Sequence, residues 1–161
     1  MNQSNPPNTL DAELNRQCRA LLLPTAIAAV FAWLPYIPLD RALHPEAPWI
    51  IIFRLGLSLA GLIALTLYSI PTLKNWNYAI LLGLFGYTEV ATAIIVGFVD
   101  GDPVYLTAYS MVIILVPVMP FQIRHNLTLL FGSLLLGWCL GAFQIGGTPI
   151  ESSLYALMNC A

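Results

Sequence analysis

Residues 49–70 read WIIIFRLGLSLAGLIALTLYSI and contain a single charged side chain, Arg54. A helix needs about 20 predominantly apolar residues to cross the roughly 30 Å hydrocarbon core of a bilayer. The stretch meets that length, and in lipid only a helix of this kind pairs all of its own backbone groups. It therefore predicts a transmembrane helix.

Four further stretches share this apolar character. They are residues 20–37, 78–99, 105–121 and 127–144. A sixth starts near Ile150 but stops at Ala161, too short to cross a bilayer at about 1.5 Å per helical residue. We therefore predict an all-α polytopic membrane helix bundle over residues 20–161, with five full transmembrane helices plus a truncated sixth. On this view the chain is either a fragment or ends in a half-span, and residues 1–19 form a polar cytoplasmic segment.

Composition supports a membrane environment. Of the 161 residues, 58% are hydrophobic and 9% are charged, whereas a soluble domain carries about 25% charged residues. A net charge of -2 argues against a nucleic-acid partner. The three cysteines, Cys18, Cys139 and Cys160, lack the spacing of a metal cluster or a disulfide framework. We predict neither a bound metal nor a cofactor.

The basic residues indicate the orientation of the chain. Lys and Arg in short loops stay on the cytoplasmic side of a membrane. The residues Arg16, Arg19, Lys74 and Arg124 all fall on one side of the predicted spans. The opposite loops are acidic, with Arg41 as their single basic residue. This pattern predicts a multi-pass inner-membrane protein with a cytoplasmic N-terminus.

Two ionisable residues, Arg54 and Glu89, lie inside predicted spans. Such residues are costly in lipid and usually mark function. Arg54 follows Trp49 by roughly 8 Å of helix and Glu89 precedes Val99 by roughly 15 Å, so their depths allow a salt bridge. The same depths allow Arg54 to extend toward the interface, with Glu89 protonated or bonded to a neighbouring hydroxyl.

Small residues accompany both charges at helical spacing. Arg54 shares a stripe with Ser58 and Gly61, and Glu89 shares one with Gly86 and Ala93. The room they leave predicts a ligand pocket opening outward, rimmed by Tyr87, Thr92, Tyr105 and Tyr109. The alternative is a tightly packed polar contact that sets the register of the helices.

The predicted outer loop adds Asp40 and His44 as candidates for binding or sensing a signal. His44 is able to sense pH, but one imidazole with two carboxylates is a weak metal signal, and a solvated loop with local ion pairs is the alternative. No nucleophile elbow, phosphate loop or HExxH motif occurs in the sequence. We therefore expect no enzymatic activity from this chain.

Several motifs in this order resemble the N-terminal six-helix membrane sensor domains of the MASE type. The resemblance rests on LPYIPLD at 34–40, HP at 44–45, FRLGL at 53–57 and YTE at 87–89, and it spans most of the chain. Such domains occur on bacterial class III adenylate and guanylate cyclases, diguanylate cyclases and histidine kinases. No linker or output domain follows the motifs in this sequence.

The resemblance implies a bacterial inner-membrane receptor module that binds a small hydrophobic or amphiphilic signal. It also implies a homodimer that regulates a C-terminal cytoplasmic output domain absent from this chain, most simply a class III nucleotidyl cyclase. The competing class is a small proton- or ion-coupled transporter or channel, in which Glu89 carries the proton or cation and Arg54 tunes it. A structural assembly subunit without a cavity is a third alternative.

Overall fold

The computed structural model describes residues 9–99 and 102–143 and is helical wherever these residues form regular structure. The α-helices are α1 (Thr9–Phe31), α2 (Tyr36–Leu43), α3 (Ile50–Ser69), α4 (Asn77–Phe98), α5 (Pro103–Leu115) and α6 (Ile123–Phe143). Short 3₁₀ helices, Pro71–Trp76 and Val116–Val118, follow α3 and α5. The predicted all-α class is confirmed, and the predicted sixth span lies outside the described residues.

Within residues 9–99 and 102–143, fewer helices qualify as membrane spans than the sequence predicts. In the described part of the chain, two helices are long and apolar enough to cross a membrane, Ile50–Ser69 and Pro71–Gly97. A third is added if α1 and α2, bent by 44° at their junction, count as one span. The predicted fourth span corresponds to a shorter apolar helix, Pro103–Val118, and the apolar part of α6 that the structure describes in full is Ile123–Leu136. Two to three apolar spans are consistent with membrane association.

Prolines explain why the fourth predicted span is short. α5 ends at Leu115 and passes into the 3₁₀ helix Val116–Val118, which contains Pro117. Proline has no backbone N–H and its ring clashes with the preceding turn of an α-helix. The predicted span 105–121 therefore includes residues that lie beyond the end of the α-helix.

The start of the chain is organised differently from the prediction. α1 runs from Thr9 to Phe31 without a break, so one helix contains both part of the predicted cytoplasmic segment 1–19 and the start of the predicted first span, and Pro24 lies inside this helix. The predicted first span, 20–37, extends past the end of α1 into α2, which has Pro35 and Pro38 at its start. The first N–H groups of a helix have no intrahelical partner, so proline is tolerated there. The chain therefore bends after Phe31 and Asp40 becomes helical.

α4 is the centre of the bundle and packs against α1, α3, α5 and α6. Its two halves contribute to different buried apolar clusters. One contains Cys18, Leu22, Leu84 and Phe85, and the other contains Ile50, Val96, Leu106 and Ile113. We name the two ends of the bundle after a residue at each, the Lys74 end and the Asp40 end.

The small-residue stripe on α3 packs directly against α1. A Cβ atom placed on Gly61 would lie 2.8 Å from the backbone nitrogen of Val30 and 2.9 Å from the carbonyl oxygen of Ala26. Both are backbone atoms of a helix and have little freedom to move. Glycine at 61 therefore sets how closely the two helices approach.

Neutral hydrogen bonds hold the Lys74 end together. The Asn15 side chain donates to the Lys74 carbonyl at 2.9 Å and accepts from the Tyr78 backbone N–H at 3.1 Å. The Tyr78 hydroxyl accepts from the Gln122 backbone N–H at 3.0 Å and lies 2.6 Å from Nδ1 of His125. This network joins the starts of α4 and α6 to α1.

Candidate functional site

A buried ion pair lies at the Asp40 end. Nε of Arg54 donates to Oδ2 of Asp40 at 3.0 Å, and Nη2 donates to Oδ1 at 3.3 Å. Both side chains are 2% exposed. Two parallel bonds between a guanidinium and a carboxylate fix the orientation of both groups. The pair therefore joins α2 to the second turn of α3.

Aromatic rings surround the guanidinium. Its central carbon lies 5.4 Å from the ring centre of Trp33, 5.1 Å from that of Tyr36 and 5.8 Å from that of Tyr105. The Tyr105 hydroxyl also donates to Oδ1 of Asp40 at 2.8 Å. Aromatic faces attract a cation electrostatically, most strongly where water is excluded. These contacts offset part of the cost of burying the charges and bring α5 into the cluster.

His44 lies beside this cluster. Its ring meets that of Tyr105 edge to face, with the ring centres 5.3 Å apart. Its Nδ1 lies 2.9 Å from Oε1 of Glu46, and its Nε2 lies 3.4 Å from Oδ2 of Asp102. The pKa of Glu46 is lowered by two hydrogen bonds to its carboxylate, of which the one from the Glu46 backbone N–H has the larger effect and the one with His44 the smaller. The connection that follows α2 therefore contacts α5 through His44.

Metal binding finds no support in this arrangement. The two carboxylates meet different nitrogens of the imidazole, so the three groups do not converge on one point. Within the described ranges, no group of three or more His, Cys, Asp or Glu side chains is arranged to hold a metal ion.

The predicted Arg54–Glu89 pair is replaced by the Arg54–Asp40 pair. Asp40 was a candidate, but as part of an outer loop, because the sequence does not reveal that the chain bends after Phe31 and continues as α2. Arg54 is also not extended toward the interface, since it is almost completely buried. The aromatic partners Trp33 and Tyr36 were missed. Their positions on either side of Pro35, a few residues before Asp40, were the available signal.

Glu89 belongs to a second polar cluster. It is fully buried, and its Oε2 accepts a hydrogen bond from the Ser133 hydroxyl at 2.9 Å. The Tyr109 hydroxyl donates to the Ser133 oxygen, also at 2.9 Å. Oε1 of Glu89 has no hydrogen-bond partner among the described residues. The bond to Ser133 is the alternative stated above, in which Glu89 bonds a neighbouring hydroxyl. The cluster of Glu89, Ser133 and Tyr109 links α4, α5 and α6.

The residues predicted to rim one pocket lie in different places. Tyr105 contacts Asp40, and Tyr109 belongs to the Glu89 cluster. The Thr92 hydroxyl is used within α4, where it donates to the Thr88 carbonyl at 2.7 Å. Tyr87 lines a groove between α3 and α4. The structure therefore does not bring these side chains around a single cavity between Arg54 and Glu89.

No protein-family model, curated protein or solved structure matches this chain. The resemblance to MASE-type sensor domains rests on the sequence motifs alone. The function has to be inferred from the geometry of the two polar clusters.

Proposed function

We propose that this chain is a membrane-embedded sensor module in which the Asp40–Arg54 pair is the switch. The observation that carries the proposal is a buried two-bond ion pair that joins three helices at one end of the bundle. Removing one partner from such a pair is far more costly than replacing both. A ligand that competes for one of the two charges would therefore favour a different packing of α2, α3 and α5.

The route to the opposite end runs through α4. It packs against α3 and α5, which carry Arg54 and Tyr105, and against α1 and α6, which begin at the Lys74 end. The basic residues Arg16, Arg19, Lys74 and Arg124 belong to that end, which we propose is cytoplasmic. The remaining parts of the proposal are a homodimer and, as the regulated domain, a class III nucleotidyl cyclase.

The signal is proposed to be a small hydrophobic or amphiphilic molecule. To shift the equilibrium between the two packings of α2, α3 and α5, the molecule has to bind one packing more tightly than the other. A tenfold difference in affinity corresponds to about 1.4 kcal/mol. A polar group on the molecule would compete with Asp40 or Arg54, and its apolar part would replace contacts to the surrounding aromatic rings.

Hydrogen exchange of the chain in lipid nanodiscs tests the coupling between the two ends. Asp40→Asn weakens the pair, and we expect faster exchange both in α2 and in residues 70–80 and 119–126 at the Lys74 end. Glu46→Gln, which alters an exposed carboxylate of the same region, is the matched control and should leave the Lys74 end unchanged. Faster exchange confined to the Asp40 end would show a local structural contact and contradict the switch.

A transporter that uses Glu89 is the second candidate. The favouring observation is the buried Oε1 atom of Glu89, which has no partner in the described chain. Against it, Arg54 is engaged by Asp40 and is not positioned to tune Glu89. Proton flux in liposomes distinguishes the two candidates, since a transporter gives flux that Glu89→Gln abolishes, and a sensor gives none.

A further inference from the structure

An apolar groove separates α3 from α4 over part of their length. It has a volume of about 550 Å³. Its lining includes Gly56, Ala60 and Leu67 on α3, and Gly83 and Tyr87 on α4. The side chains of Leu59 and Ile63, which also line it, are more than half exposed. The groove is therefore open to the surroundings of the bundle, which in a membrane are lipid.

The length of the groove corresponds to one leaflet. From Leu67 to Gly56 it follows about eleven residues of α3, or about 16 Å of helix. Half of the roughly 30 Å hydrocarbon core is about 15 Å. The groove starts near the Lys74 end and stops in the second turn of α3, where the Tyr87 hydroxyl packs against Gly56. A single acyl chain of the leaflet at the Lys74 end matches this length.

Positive charge flanks the end of the groove that would meet a lipid headgroup. Lys74 is exposed and lies in the 3₁₀ helix that connects α3 to α4. The Arg19 guanidinium lies 5.7 Å from the ring centre of Tyr68, the residue that follows Leu67. Basic residues beside a membrane attract anionic headgroups.

We propose that this groove is a binding site for an anionic phospholipid, with one acyl chain between α3 and α4 and the headgroup phosphate beside Lys74 and Arg19. The shape selects a chain of one leaflet, and the two basic side chains select negative charge. The site is separate from the Asp40–Arg54 pair and does not depend on the sensor function.

Gly83 offers a way to fill the groove without disturbing the fold. A Cβ atom on Gly83 meets nothing within 4 Å, and the same is true of Gly132 on α6, which does not line the groove. Gly83→Leu therefore occupies the groove, and Gly132→Leu is the matched control. Both replacements favour the helix, because leucine has a higher helix propensity than glycine.

Native mass spectrometry in detergent, with phosphatidylglycerol or phosphatidylcholine added, measures the lipid retained by each variant. The unmodified chain and Gly132→Leu should retain phosphatidylglycerol in preference to phosphatidylcholine, and Gly83→Leu should lose bound lipid of both kinds. Lys74→Gln should weaken phosphatidylglycerol retention about fivefold, the effect of one basic residue near an anionic surface, and leave phosphatidylcholine unchanged. Inorganic phosphate should not compete, because it lacks the acyl chain.

Four results would overturn this proposal. Equal lipid retention by all variants means that only non-selective surrounding lipid binds. Loss of retention on adding inorganic phosphate means that the headgroup alone is bound. A dimer that Gly83→Leu converts to a monomer, with lipid retention unchanged, means that a second copy of the chain occupies the groove. If Gly83→Leu does not fold, equal phosphatidylglycerol retention by Lys74→Gln and the unmodified chain overturns the proposal on its own.

Discussion

The two ends of the bundle are held together by different chemistry. At the Lys74 end, neutral side chains such as Asn15 and Tyr78 bond largely to backbone groups. At the Asp40 end, a buried carboxylate and a guanidinium bond to each other. A neutral bond that is lost costs little more than its own net free energy, whereas a charge that loses its partner in a buried site is strongly destabilising. Removing a hydrogen-bonding partner is therefore expected to cost more at the Asp40 end than at the Lys74 end.

Breaking the ion pair should have the largest effect on stability. Asp40→Asn leaves the buried Arg54 guanidinium without its carboxylate, and we expect the free energy of unfolding to fall by about 3–5 kcal/mol. Unfolding by SDS in mixed micelles measures this loss. The double variant Asp40→Asn with Arg54→Gln should lose less than the sum of the single variants. Strict additivity would show that the two side chains do not depend on each other.

A matched pair of tyrosines compares the two ends directly. Tyr105→Phe removes a hydroxyl that donates to a carboxylate, and we expect a loss of about 1.5–3 kcal/mol. Tyr78→Phe removes a hydroxyl that bonds a backbone N–H and an imidazole, and we expect a loss of about 1 kcal/mol. The same unfolding assay measures both. Equal losses, or a larger loss for Tyr78→Phe, would contradict the difference between the ends.

The contact between α1 and α3 can be tested by adding one methyl group. Gly61→Ala forces the new Cβ atom against the backbone of α1, and we expect a loss of about 1–3 kcal/mol. Gly132→Ala adds the same group in open space and should be neutral or stabilising by up to about 1 kcal/mol. If both variants unfold at the same SDS fraction, the close approach at Gly61 is not needed.

The smallest effect is expected from an exposed ion pair near the start of α1. Hydrogen bonding to Arg16, and then to Gln17, lowers the pKa of Glu13 from 4.5 to about 2. The pair therefore stabilises the folded chain fully above pH 4.5, and this contribution is lost as the pH falls toward 2. Salt should weaken it, because both partners are exposed. Titration of the Glu13 carboxyl by NMR checks this, and a midpoint near 4.5 at low salt would show that the pair does not form in solution.

Local composition was enough to predict part of the fold. α3 and α4 follow from unbroken apolar stretches, and the burial of Arg54 and Glu89 follows from their places in those stretches. The helices α5 and α6 were predicted with the correct type. The apolar length of α5 was overestimated, because Pro117 ends its regular part, whereas α6, at Ile123–Phe143, covers nearly all of the predicted span 127–144.

The partners of the charged residues could not be predicted in the same way. Asp40 meets Arg54 because the chain bends between Phe31 and Tyr36 and α2 then packs on α3. Ser133 meets Glu89 because α6 packs on α4. Both contacts depend on how helices pack, whereas hydropathy and spacing describe each helix by itself. The sequence indicated only that Arg54 and Glu89 need polar partners, since every buried charge requires one.

The position of Cys18 gives the molecule an internal reporter. Its side chain is fully buried, and its sulfur lies 3.7 Å from the carbonyl oxygen of Pro120, just before α6. An alkylating reagent can reach this thiol only when the packing around it opens, and the contact with the segment that leads into α6 is part of that packing. The alkylation rate of Cys18, followed on its own peptide, therefore measures how often this part of the bundle opens in the native sequence, without a probe having to be introduced.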